Sequence, residues 1–183
     1  SRRNEAFADF LNVADDADMP IEFRSDALRC AGGCAHAQRH FSAAWLIFDG
    51  LERSAPDMQA RSEAALQNAG IAFELKGRGK GTLDEVRMLC AAVENDSIAT
   101  DRTVATARLI HLETYFEEKN YDQVIAESDL LTQAFPFELR AVTMAQAWKG
   151  IVLYRSGRIA DAKSTLEGVL SADLSEVELF AGV

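Results

Sequence analysis

The stretch from Ser25 to Met58, SDALRCAGGCAHAQRHFSAAWLIFDGLERSAPDM, decides the fold. Its later half places Phe41, Ala44, Phe48 and Leu51 at spacings of three, four and three residues, which marks one face of an α-helix. Its earlier half is a second helical run with Gly32 near the middle, and Pro56 stands at the far boundary.

The same pattern returns along the chain. Gly32 is followed at 38 residues by Gly70, at 80 by Leu112 and at 118 by Gly150, so a small residue occupies three of the four copies. The apolar quartet of the first copy recurs as Leu83, Val86, Cys90 and Val93, then as Tyr121, Val124, Ser128 and Leu131, and finally as Ile159, Ala162, Leu166 and Val169. Ser128 alone interrupts the apolar face, and Pro136 stands in the third copy where Pro56 stands in the first. Two short antiparallel helices cannot bury their apolar faces alone, so such pairs must stack on one another. The small residue in the first helix lets the second approach closely.

These residues, Gly32, Phe41, Ala44, Phe48 and Pro56 above all, resemble the tetratricopeptide repeat, and the resemblance spans nearly the whole chain. The period here is 38 residues against the usual 34, and the early aromatic of the first helix is missing. A Sel1-like helical repeat is the alternative family. The resemblance implies an all-α fold: a right-handed superhelix, or solenoid, of about four helix pairs plus partial end helices. A single domain over residues 1–183 would hold pairs near 25–56, 63–95, 103–135 and 140–171.

Local signals agree with helix pairs. Ser25 is expected to cap the first helix, Thr82 with Glu85 forms a capping box opening the second helix of the second pair, and Ser175 with Glu178 does the same near the end. Gly157 sits in the turn of the last pair. Ala6, Phe10 and Val13 fill the second-helix slots of an earlier pair, so the chain reads as starting in mid-repeat, as a piece of a longer protein would.

Bulk composition narrows the function. With 48% hydrophobic and 26% charged residues the chain has the makeup of a soluble globular protein. A net charge of −10 opposes binding to a phosphate backbone and favours a neutral or basic protein segment as partner. No stretch approaches the roughly 20 apolar residues of a membrane-spanning helix, so membrane insertion is not expected. Cys30, Cys34 and Cys90 make no disulfide framework, which favours a reducing cytoplasm; a periplasmic setting stays open for a chain from which a signal or anchor was removed.

Sharper chemistry finds little support. Gly77-Arg78-Gly79-Lys80-Gly81-Thr82 invites comparison with a phosphate-binding loop, but Glu74 and Gly81 occupy the places of the first Gly and of the Ser or Thr after the Lys. It reads instead as a flexible four-residue insertion, because Leu83 resumes the apolar pattern four residues late. Cys30, Cys34, His36 and His40 lie close in sequence, yet at 100° per residue the cysteines and histidines face different ways, so no metal site and no cofactor is expected. His111 reads as a core histidine and Glu113, Glu117 and Glu118 as a solvated acidic face. No nucleophile with base and orienting partner assembles, and the chain reads as a non-enzyme.

In proteins that this chain resembles, the first helices line a concave groove that holds a partner peptide or helix. The corresponding slots here are Asp26, Arg29, Gly33 and His36, then Ala64, Gln67, Ile71 and Glu74. The third copy supplies Thr106, Leu109, Glu113 and Phe116, and the fourth Met144, Ala147, Ile151 and Tyr154. The expected function is a protein-interaction scaffold or adaptor, with Leu109, Phe116, Met144, Ile151 and Tyr154 burying partner side chains and Arg29, Gln67, Glu74 and Glu113 setting register. On this reading Phe116→Ala with Tyr154→Ala weakens binding without unfolding. The alternative is a regulatory or sensor arm of a larger protein that packs against its own effector domain.

Overall fold

The computed structural model describes residues 2–171. They form helices α1 Arg2–Asp15, α2 Ile21–Ala37, α3 Phe41–Ser54, α4 Met58–Lys76, α5 Leu83–Glu94, α6 Asp101–Glu117, α7 Tyr121–Ala134, α8 Leu139–Arg155 and α9 Ile159–Ser171. No strand occurs among the described residues, so the all-α class holds. The capping pair expected at Ser175 and Glu178 lies outside them.

Two compact units divide the chain, from Ser1 to Thr103 and from Val104 to Val183. In the first, each helix packs on its sequence neighbour, α1 on α2 and so on to α5. Its core joins Ala35 of α2, Phe41, Ala44, Phe48 and Leu51 of α3, and Ala64 and Ile71 of α4. In the second unit α7 packs on α8 and α8 on α9, and one core joins Ala105 and Leu112 of α6, Val124 and Leu131 of α7, and Ala141, Ala145 and Val152 of α8.

The four apolar quartets begin α3, α5, α7 and α9, whose first residues are Phe41, Leu83, Tyr121 and Ile159. Their inner members are buried in α3, α5 and α7, as period-3.6 spacing requires, whereas in α9 only Ala162 is buried and Ile159 is 54% exposed.

Each first helix of a pair ends in the same way. The amide of Arg39 donates to the carbonyl of His36 and that of His40 to Ala35, the paired bonds of a Schellman motif, with Arg39 left-handed at φ 62°. The same two bonds recur around Gly79 (φ 75°), Lys119 (φ 61°) and Gly157 (φ 77°). Arg39, Lys119 and Gly157 stand two residues before the next helix, whereas Gly79 stands four before it. The four-residue slip in the second copy is therefore divided. Two residues lengthen α4, which has 19 against 17 in α2, α6 and α8, and two lengthen the turn at Lys80 and Gly81.

Side chains cap some of the helix starts, while α2, α3 and α8 begin without a side-chain cap bond. The capping box at Thr82 and Glu85 is present in both directions. Asp57 caps α4 by accepting from the amides of Gln59 and Ala60, and Asn120 caps α7 by accepting from Gln123. Ser25, however, lies inside α2, which starts four residues earlier at Ile21 behind Pro20 (φ −55°). Nothing in Ile21–Arg24 opposes a helix, and the Arg24 guanidinium ties that first turn to the end of α1 by donating from Nε to the carbonyl of Ala14 at 2.8 Å.

The small residues of the first helices allow the close approach expected of them. A Cβ on Gly32 would stand 2.7 Å from Cζ of Phe48, and one on Gly150 would stand 2.6 Å from Cγ of Leu166. The third pair inverts this arrangement in register: Leu112 stands in the glycine position and Ser128 in the position of Phe48 and Leu166, both at 0% exposure. Bulk moves from the second helix to the first, so total volume is kept, which is what a close-packed interior demands. The Ser128 hydroxyl is satisfied between the carbonyls of Val124 at 2.7 Å and Ala145 at 3.0 Å, tying α7 to α8.

Candidate binding surfaces

The expected groove slots of the first unit divide by burial. Arg29 is exposed and ion-pairs with Asp26 at 3.1 Å, and Gln67 and Glu74 are also exposed. His36 is half-buried, its ring tilted against Phe41 at 5.5 Å. Two slots do not face outward: Ala64 is 3% exposed and Ile71 0%, and both belong to the core shared by α2, α3 and α4. Both lie on faces of α4 that the core covers, whereas Gln67 and Glu74 on the same helix stay exposed.

In the second unit the slots on α6 and α8 come together. Phe116 and Trp148 are in ring contact at 4.3 Å, the Glu113 carboxylate accepts from Trp148 Nε1 at 3.1 Å, and the Arg155 guanidinium lies over the Phe116 ring at 4.9 Å. Leu109 and Phe116 are half-buried against the core, and Met144 is half-buried on α8. Ile151 is 36% exposed and Tyr154 65%. Phe116 thus supports the aromatic cluster, so its truncation removes packing contacts as well as exposed surface. Trp148, outside the expected slots, is the hub of the cluster. Its only sequence signal is a large aromatic in a first helix.

A concavity lies elsewhere, in the first unit, and none of its walls is an expected slot. Its volume is about 710 Å³, and it is bounded by Ser42, Trp45 and Leu46 of α3, Ala72 and Leu75 of α4, Glu85, Met88 and Leu89 of α5, and the turn residues Lys80 to Thr82. Leu46 is 69% exposed and Met88 67%, and both stand five residues after the start of their helices. At the same register α7 has Ala126 and α9 has Ser164. That difference was readable in the repeat alignment, but which side it faced was not.

The motif-like groups take structural places. The amide of Thr82, which a phosphate oxygen would have to use, donates to Glu85 Oε2 at 2.7 Å, and that carboxylate oxygen lies 3.0 Å from where a Cβ on Gly81 would stand. Cys30, Cys34 and Cys90 form no disulfide among the described residues. Among the described residues no group of three or more His, Cys, Asp or Glu could hold a metal ion, and no helix is long and apolar enough to cross a membrane. His111 stacks on Tyr115 at 5.3 Å between ring centres, with its Nε2 3.4 Å from the tyrosine hydroxyl.

Comparison with models of protein families, with curated proteins and with solved structures finds no match for this chain.

Proposed function

We propose that this chain is a tetratricopeptide-like superhelical stack that acts as a protein-interaction scaffold and carries no catalysis of its own. The observation that carries the reading is the joined face of α6 and α8, where Glu113, Phe116, Trp148 and Arg155 form one contact network beside the open side chains of Ile151 and Tyr154. A rigid aromatic cluster next to exposed apolar anchors is the makeup of a binding hot spot, because the anchors lose little conformational entropy on docking. The recurring Schellman turns and the glycine contacts at Gly32 and Gly150 support a repeated pair geometry. The partner is a protein segment of neutral or basic character that buries an apolar side chain against Ile151 and Tyr154, drawn by the acidic balance of the chain.

The test uses Ile151→Ala with Tyr154→Ala, since both side chains are open and their loss leaves the core intact. Proteins captured from the native source by the wild-type chain are identified by mass and titrated against both forms. A loss of tenfold or more in affinity at unchanged melting temperature is expected, and equal affinities would overturn the proposal.

A further inference from the structure

We infer that Phe137 and the apolar groove between α3 and α5 are the two halves of a self-association contact, in which the Phe137 turn of one copy seats in the groove of a second. The inference is independent of the scaffold reading, because neither Ile151 nor Tyr154 takes part in it.

Phe137 is 92% exposed, and no local role accounts for it. In the turn from α3 to α4 the residue after Pro56 is Asp57, which caps α4 through the amides of Gln59 and Ala60. In the turn from α7 to α8 the residue after Pro136 is Phe137, and α8 begins behind Glu138 with no side-chain cap bond. An apolar residue just before the cap often packs as a staple on the fourth residue of the helix, here Val142. The exposure of Phe137 rules that out. The turn itself is held: the Phe135 amide donates to the Leu131 carbonyl at 2.9 Å, and the Glu138 amide to the Phe135 carbonyl at 3.0 Å. A bare aromatic ring on a held turn loses little freedom on docking, which is the makeup of an interface anchor.

The groove supplies the matching hole. Its volume of about 710 Å³ has room for the Phe137 ring together with Leu139, which is 44% exposed. Leu46 and Met88 at its edge stay open to solvent, at a register where α7 and α9 hold the small residues Ala126 and Ser164.

Charge favours a second copy over a ligand of one sign. The rim carries both signs, Lys80 and Glu85, and the Phe137 turn does too, with Glu138 and Arg140 on either side of Leu139. Lys80, Glu138 and Arg140 form no ion pair among the described residues, and Glu85 engages the Thr82 amide through Oε2 alone. Seating the ring pairs Lys80 with Glu138 and Glu85 with Arg140, so all four charges are matched across the contact. Different surfaces of the two copies meet, so the contact either closes a pair or runs on as a chain.

Sedimentation velocity at about 0.15 M salt reads it, since repulsion between chains of net charge −10 is then screened beyond about 8 Å. Association with a dissociation constant of about 10–100 μM is expected for so small a contact. Phe137→Asp, and separately Leu46→Asp with Met88→Asp, should each stay monomeric at unchanged helicity, because all three side chains are exposed. Mixing these two variants is the decisive measurement, since one keeps the groove and the other keeps the ring. A 1:1 pair should form, within about threefold of the wild-type affinity per contact. Lys80→Glu should weaken wild-type association by about threefold, and Glu138→Lys added to it should restore most of the loss. Ile151→Ala with Tyr154→Ala should associate as the wild type does.

A wild-type chain that stays monomeric to about 1 mM would overturn the inference and leave the groove to another occupant. So would a Phe137→Asp variant that still associates, two variants that stay apart when mixed, charge reversal without effect, or loss of association on changing Ile151 and Tyr154.

Discussion

Gly32 of α2 lies directly under the Phe48 ring of α3, so closely that a single added methyl group would stand 2.7 Å from Cζ. Gly33, the next residue, has nothing within 4 Å of that position. The two glycines thus separate packing from propensity in one turn of helix. Gly32→Ala is expected to lower stability by about 1–2 kcal/mol, because overpacking outweighs the gain in helix propensity. Gly33→Ala should raise it by about 0.5–1 kcal/mol. Urea denaturation of both variants checks this, and Phe48→Leu added to Gly32→Ala should recover part of the loss.

The left-handed residues that end α2, α6 and α8 differ in their strain. Arg39 and Lys119 carry a Cβ at φ 62° and 61°, whereas Gly157 adopts φ 77° without one. Arg39→Gly and Lys119→Gly are each expected to stabilise by several tenths to about 1 kcal/mol, and Gly157→Ala to destabilise by about 1 kcal/mol. Melting temperatures of the three variants should move in opposite directions accordingly.

Ser128 stands where its counterparts are Phe48, Cys90 and Leu166. Restoring an apolar side chain would look harmless from the repeat pattern. Because the site is fully buried and Leu112 holds the facing glycine position, Ser128→Leu is expected to cost about 2 kcal/mol or more. Adding Leu112→Ala should return part of that, and denaturant midpoints of the single and double variants would show the coupling. Ser128→Ala should cost about 1 kcal/mol for the lost hydroxyl bond.

Glu113 and Trp148 join α6 to α8 through a charge-assisted hydrogen bond at 3.1 Å. A double-mutant cycle with Glu113→Ala and Trp148→Phe is expected to give a coupling of about 1–2 kcal/mol, reduced from the buried value because both groups are half-exposed. A coupling near zero in denaturation experiments would contradict the contact.

Much of the helical plan was legible in the residues because local physics decides it. The quartet starting at Phe41 marks a helix face through spacing alone, and Thr82 with Glu85 satisfies orphan amides within four residues of chain. Ser25 misled because a cap-forming side chain competes with the rest of the helix, and here the Arg24 to Ala14 bond from a neighbouring helix favoured an earlier start. The divided slip at Gly79 was hidden for a similar reason. A shift in register gives the number of added residues but not how many continue the helix.

The candidate surfaces were less legible than the helices. Ile151 and Tyr154 were placed outward by register, and they are outward, whereas Ile71 at an equivalent slot is wholly buried. Trp148 became the centre of its cluster only through Phe116 and Glu113 on another helix. Leu46, on α3, meets Lys80 and Met88 around one concavity, and the repeat alignment gave their register but not that they share it.

By itself, then, the sequence determined that this chain is helical, where its apolar faces run and which small residues must lie at close crossings, since these follow from spacing, propensity and the space a side chain needs. Tertiary structure alone decided which outward slots are covered, that the Ser128 hydroxyl is satisfied by the carbonyls of Val124 and Ala145, and that charged and apolar side chains border the same groove. Those outcomes depend on which helices pack on each side of a given helix, and that is set by burial across contacts distant in the chain rather than by any residue's local preference.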